Sequence, residues 1–151
     1  MIAIKKQLLA FCREFAHQRT RRIRSEIDSL RESLDSETKN STGDKHETGR
    51  AMIQLEQERL MEALQGAGQL EREADRLPEA ALHSGPVTVG SLVEVGAFRF
   101  YIGIGAGAAD LDGTRYFCIS PASPAGVQLL GKQVGETVVL PAGSFVIGAH
   151  Y

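Results

Sequence analysis

Two cysteines in 151 residues, Cys12 and Cys118, are too few for the disulfide framework that holds many small secreted domains together. They leave two readings open, one disulfide or two free thiols, and their apolar neighbours favour buried thiols in a reducing compartment. Neither has metal-ligand spacing, and His17, His46, His83 and His150 are scattered rather than clustered as a zinc site requires. Long apolar runs are lacking too. Nothing approaches the ~20 consecutive apolar residues of a membrane span. The segment MIAIKKQLLAFCREFAHQR turns charged too soon for a signal peptide. The expectation is a cytoplasmic protein with no membrane partner. The formal net charge is only −2, so no global field draws the chain to nucleic acid or an anionic surface.

Proline and glycine are absent from residue 4 to about 37, which permits one long helix. Within it Leu8, Cys12 and Phe15, then Ile23, Ile27, Leu30 and Leu34 recur at helical spacing, interrupted by Arg19. A cluster of turn and cap formers follows over 38–44. A second helical stretch runs from about 45 to 76, with a stripe of Leu60, Ala63, Ala67, Leu70, Ala74 and Leu77 and with Met52 and Ile53 nearer the turn. Pro78 ends it. Two long helices joined by a short turn pack antiparallel, and about 30 residues at 1.5 Å each give a rod of roughly 45 Å. Gly66 and Gly68 each cost about 1 kcal/mol against alanine and read as tolerated or packing-related.

Charge is sparse in the second half: beyond Ser84 only Glu94, Arg99, Asp110, Asp112, Arg115, Lys132 and Glu136 are charged. There the pattern alternates, predicting strands at 87–89, 92–95, 98–104, 115–119, 137–140 and 144–147. Asp112-Gly113 signals a hairpin turn, and 124–130 is a short helix stopped by Gly131. The expected class is α+β. An antiparallel coiled-coil hairpin occupies 1–78 with its tip near 39–48, a linker 79–86, and a small, mostly antiparallel β-rich domain 87–151.

Two passages resemble the Gre family of transcript-cleavage factors. One is Gly43-Asp44-Lys45-His46-Glu47-Thr48 at the tip, close to the family's Gly-Asp-x-x-Glu-Asn, with Thr48 in the asparagine position. The other begins at Ile119-Ser120-Pro121 and continues through Leu129-Leu130-Gly131-Lys132-Gln133-Val134-Gly135. The resemblance covers both halves in order. It implies an FKBP-like second domain and an accessory factor of bacterial RNA polymerase, working as a monomer on the DNA-bound enzyme. In the family the hairpin enters the secondary channel and stimulates cleavage of a backtracked RNA 3′ end. Asp44 and Glu47 then correspond to the carboxylates that help hold a shared Mg²⁺ at the polymerase centre. Hard oxygen donors suit that ion. No tightly bound cofactor is implied, and the chain is not an enzyme by itself. Lys45, His46, Thr48 and Arg50 at the tip, with Leu130, Gly131 and Lys132 in the second domain, are the expected partner-binding residues.

Other readings stand beside these. Asp44-x-x-Glu47 is also a capping-box pattern. Arg19, Arg21, Arg22 and Arg24 read as a solvated face paired with Glu26 and Asp28, or as a basic flank that joins Lys39, Lys45 and Arg50 against an acidic channel. His46 is either a phosphate contact or idle. Phe98, Phe100, Tyr101, Tyr116, Phe117 and Phe145 sit at strand positions, so core is favoured over an isomerase pocket. Ser120-Pro121 and Ser123-Pro124 read as turn chemistry, with no nucleophile elbow around them. The glycines from Gly103 to Gly113 make no phosphate loop. Two rival functions remain: a channel-occupying regulator that does not cleave, and a structural or chaperone-like module.

Overall fold

The computed structural model describes residues 1–39 and 44–151, and side chains outside 37–46. It divides into two compact units, Ala16–Glu71 on one hand and Met1–Phe15 with Arg72–Tyr151 on the other. Helix α1 spans Ile2–Lys39 and α2 spans Asp44–Asp75.

The unit Ala16–Glu71 is a pair of helices. Ile23 and Ile27 of α1 pack with Leu60 and Ala67 of α2, flanked by Leu30, Ala63 and Leu64. His17 meets Glu71 at 3.0 Å, whereas Ser29 and Leu30 share a groove with Glu56 and Leu60. Partner numbers fall on one helix as they rise on the other, so the pair is antiparallel. The predicted break at Arg19 is not a gap in the seam. The chain turns its buried line through Ala16 and Thr20 instead, leaving Arg19 exposed. The Thr20 hydroxyl donates to the Ala16 carbonyl at 3.4 Å, a back-bond that lets threonine occupy a buried helical position. Gly66 is exposed, with open space where a Cβ would stand, so it is tolerated rather than required.

The second unit is built on six strands: β1 Leu92–Val95, β2 Phe98–Ile102, β3 Gly107–Leu111, β4 Thr114–Ile119, β5 Thr137–Leu140 and β6 Gly143–His150. Their order is β3-β4-β2-β1-β6-β5. The sheet is mixed. Four pairings are antiparallel, as expected, but β2 and β4 run parallel with Phe100 beside Phe117. Asp112 and Gly113, at φ +49° and +77°, form the two-residue turn between β3 and β4. Both central residues with positive φ match the twist of the flanking strands. Strand β3 was not predicted, because glycine and alanine are poor strand formers and only this turn aligns them with β4. The expected strand at 87–89 is absent. Val87 is held by two backbone bonds to the 131–132 turn, Val87 N to Lys132 O at 2.8 Å and Gly131 N to Val87 O at 2.9 Å.

Alternation along the strands gives the sheet two apolar faces. Val93, Val95, Phe100, Ile102, Val138 and Ile147 form a core with Leu129 of helix α3, Pro124–Leu129. The opposite face carries Tyr101 and Cys118, reached by Cys12 from the first turns of α1. Leu77 packs on this face beside Tyr101 at Gly103. Arg13 reaches the carbonyls of Ala74 and Leu77 at 3.4 and 3.3 Å and Glu79 at 3.4 Å, placing a cation at the end of α2.

Helix α3 explains its own sequence. Ser123 caps it, its hydroxyl accepting from Gly126 N at 3.1 Å and donating to Ser120 O at 2.6 Å, and Pro124 supplies the preset φ of a first turn. The Ser120 hydroxyl accepts from Ala122 N at 3.1 Å. The Ser-Pro repeats are turn chemistry, as the sequence suggests. Gly126 is needed for approach: a Cβ there would collide with the Ser120 carbonyl oxygen and lie 2.9 Å from the Pro121 Cα.

Candidate functional site

Helix α1 ends at Lys39 and α2 begins at Asp44, so Asp44 opens the second helix and Glu47 stands one turn inside it. Glu47, Thr48 and Arg50 are exposed, with Gly49 half-buried between them. The side chains of Asp44, Lys45 and His46 lie outside the described residues, as does that of Lys39. Among the described residues, no group of three His, Cys, Asp or Glu is placed to hold a metal ion. Arg19, Arg21, Arg22 and Arg24 are all exposed. Arg59 grips Glu56 with Nε at 2.9 Å from Oε2, and this guanidinium holds the Glu56 carboxyl below its usual pKa.

The predicted residues of the β unit have architectural contacts. Leu130 packs against the sheet core, and its N–H donates to Gly126 O at 2.9 Å, closing α3. Gly131 is exposed at φ +79°, a turn that glycine adopts without strain. Lys132 is half-buried and bonds Leu129 and Val87 through its backbone. The Leu-Leu-Gly-Lys run is therefore a helix stop joined to the junction before β1.

Sequence reasoning missed a concavity. Phe98, Phe100 and Phe117 share one face of β2 and β4, their rings 5.9 to 6.3 Å apart, and Phe145 meets Phe98 edge-on at 5.7 Å. Phe100 is buried core as expected, but Phe98 and Phe117 are half-buried. With Ala125, Leu140, Pro141 and Ala142 they line a wholly apolar cavity of about 250 Å³. The signal was the i, i+2 spacing of Phe98 and Phe100. The third ring comes from the parallel neighbour, which no local pattern announces.

A second polar cluster was also unseen. Lys5, 1% exposed, donates to the carbonyls of Ala81 and Tyr151, the latter at 2.9 Å, and burial lowers its pKa to about 8. His83 and His150 stack with ring centres 6.0 Å apart, and burial lowers the pKa of each, with the Lys5 cation adding to it. His150 Nδ1 donates to Gly85 O at 3.2 Å, which leaves Nε2 to accept from the Ser91 hydroxyl at 2.6 Å. This pair has the geometry of a base and a nucleophile. Ser91 is wholly buried, however, and Thr88 N donates to its oxygen at 3.0 Å, so it fastens the junction to β6.

The chain thus combines an antiparallel helical pair, bearing acidic and basic residues where α2 begins, with a mixed β unit containing an aromatic-walled cavity. No protein-family model matches it. No curated protein matches it either. Among solved structures, one described as the structure of the transcription factor Gfh1 is 24% identical, with 93% of each chain covered and a TM-score of 0.39. Among the described residues, no helix is long and apolar enough to cross a membrane.

Proposed function

We propose that this protein is a Gre-like accessory factor of RNA polymerase whose helical pair enters the secondary channel and stimulates cleavage of backtracked RNA. The observation that carries the reading is the start of α2: Asp44 opens the helix, and the Glu47 carboxylate is exposed one turn later. Two carboxylates three apart offer hard oxygen donors of the kind that Mg²⁺ takes. They are too few to enclose the ion, so they fit only as additions to a site that the polymerase already half builds. When shared in this way, the ion supplies activation of water and charge stabilisation at the leaving oxygen. The protein's own share is to orient the two carboxylates. Arg50 and Lys45 offset negative charge on the RNA 3′ segment, and Thr48 and His46 line the same end. In this reading the helical pair, Ala16–Glu71 within residues 1–78, is the inserted module, and the unit that holds the sheet, with residues 87–151 at its centre, is an FKBP-like docking module in a cytoplasmic protein. The Leu130-Gly131-Lys132 turn shapes part of its surface.

A second reading is favoured by Thr48, exposed where the resemblance would have asparagine. The protein then occupies the channel and retunes the polymerase without cleavage. A stalled, backtracked elongation complex with added Mg²⁺ separates the two. The first predicts shortened RNA with wild-type protein and at least a tenfold loss of rate with either Asp44→Asn or Glu47→Gln. Both variants keep helix-capping capacity, so thermal stability stays within about 0.5 kcal/mol. Binding without cleavage by wild-type protein selects the second reading. Failure to bind polymerase at all removes both.

A further inference from the structure

The segment before β1 is fastened at three points by side chains from elsewhere in its unit. Lys5 of α1 donates to Ala81 O and, at 2.9 Å, to Tyr151 O. His150, at the end of β6, reaches Gly85 O through Nδ1 at 3.2 Å and the Ser91 hydroxyl through Nε2 at 2.6 Å. His83 lies against the same ring: the two imidazoles stack with centres 6.0 Å apart and planes 11° from parallel. A carbonyl oxygen only accepts, so the Gly85 contact places a proton on His150 Nδ1 and leaves Nε2 bare. The Ser91 hydroxyl then donates to Nε2, while its oxygen accepts from Thr88 N at 3.0 Å. This chain of bonds is complete only while His150 is neutral. A proton on Nε2 would face the Ser91 oxygen and turn the hydroxyl hydrogen away. Ser91 is 0% exposed and has no other acceptor among the described residues. At His83 the difficulty takes another form. Its Nε2 is buried without a hydrogen-bond partner, so charging the ring puts an unpaired N–H in a buried place. The charged and titratable groups that face these rings are Lys5 from α1 and the rings themselves, and among the described residues no carboxylate pairs with any of the three.

We propose that the stacked imidazoles of His83 and His150 are an acid-released latch, holding residues 81–91 against β6 and the first turns of α1 while neutral and freeing them when protonated. The segment it controls is tied to the rest of the unit. Val87 bonds the 131–132 turn, and Gly90 N donates to Ile102 O at 2.7 Å, so release reaches the turn after α3 and the end of β2. The direction follows from proton linkage. Burial lowers the pKa of both histidines below the ordinary 6.5 and Lys5 adds to it, while the Gly85 bond opposes the shift at His150. The freed segment exposes its imidazoles and takes up protons at their ordinary pKa. It therefore holds more protons than the latched form once pH falls below 6.5. The latch is closed above that value and is lost as pH falls through the lowered ones. Lys5, with its pKa of about 8, stays charged throughout this window.

The test follows ring and amide resonances and amide exchange of the full chain from about pH 8 to about pH 5, with exchange corrected for the intrinsic effect of pH. Both rings should titrate below 6.5. Over the same window protection should fall by about tenfold or more at Val87, Gly90 and Ser91. The amides of Ala109 and Tyr116, paired in the β3–β4 hairpin, should keep theirs, which separates release from unfolding of the unit. His150→Gln offers the Ser91 hydroxyl an uncharged oxygen and does not titrate, so most of the pH dependence should vanish. The latch is overturned if both rings titrate while protection stays constant, or if they titrate at or above 6.5. It is equally overturned if His150→Gln loses protection over the same range as wild type. Ring midpoints and protection in the wild-type protein decide the matter even if the variant does not fold.

Discussion

Replacing glycine by alanine inside a helix should stabilise it by about 1 kcal/mol, because alanine loses less backbone freedom on folding. Two glycines of this protein give opposite outcomes for that one substitution. At Gly66, in α2, an added Cβ meets nothing within 4 Å, so Gly66→Ala should gain the full ~1 kcal/mol. At Gly126, in α3, the same Cβ falls against the Ser120 carbonyl and 2.9 Å from the Pro121 Cα. Those atoms are backbone, fixed by the Ser123 cap, and cannot swing aside like the end of a side chain. Overpacking of this kind costs about 1–3 kcal/mol or more, and the rigid obstacle puts it at the high end, so Gly126→Ala should lose a net ~2 kcal/mol. The assay can follow each unit separately. All three tyrosines, Tyr101, Tyr116 and Tyr151, lie in the sheet unit, while far-ultraviolet ellipticity is dominated by α1 and α2. Gly126→Ala should lower the tyrosine-detected midpoint by roughly 8 °C, and Gly66→Ala should raise the helical one. An unchanged or raised tyrosine midpoint in Gly126→Ala would refute the close-approach argument.

Lys5 makes stability depend on pH. Its folded pKa of about 8 lies below the ordinary 10.5, so the unfolded chain holds the extra proton between those values and stability from this group rises across that window. The gain is on the order of 2–3 kcal/mol. Tyr101, raised by burial, and Cys118, raised by the Cys12 thiol and by burial, work in the opposite direction at high pH, so the measurement is the difference between wild type and Lys5→Met. Parallel stability curves from pH 7 to 10.5 would show that the amine is not desolvated. Ser123→Ala should cost about 1 kcal/mol in urea unfolding, from loss of the α3 cap. Leu60→Ala, at a residue 3% exposed between Ile23 and Ile27, should lower the helix-detected stability by about 2–4 kcal/mol, and a loss below 1 would place Leu60 outside the seam.

Features set by neighbouring residues were legible in the sequence. The absence of proline and glycine before the turn, the stripes through Ile23 and Ile27 and through Leu60 and Ala67, the Asp112-Gly113 turn and the Ser123-Pro124 helix start all depend on interactions within a few residues. So does the opening of α2 at Asp44, which places Glu47 one turn in.

Long-range partners decided the rest. Strand β3 exists because β4 offers it hydrogen bonds, despite a glycine- and alanine-rich sequence. Val87 looked like strand and became a clasp for the 131–132 turn. The parallel pairing of β2 with β4 brings Phe117 beside Phe100 and so creates the aromatic-walled cavity. Cys12 meets Cys118, and Lys5 meets Ala81 and Tyr151, only when distant segments fold together. Periodicity records which face a residue prefers to bury. Which other segment covers that face is settled by packing the whole chain, where sequence separation carries no local signal.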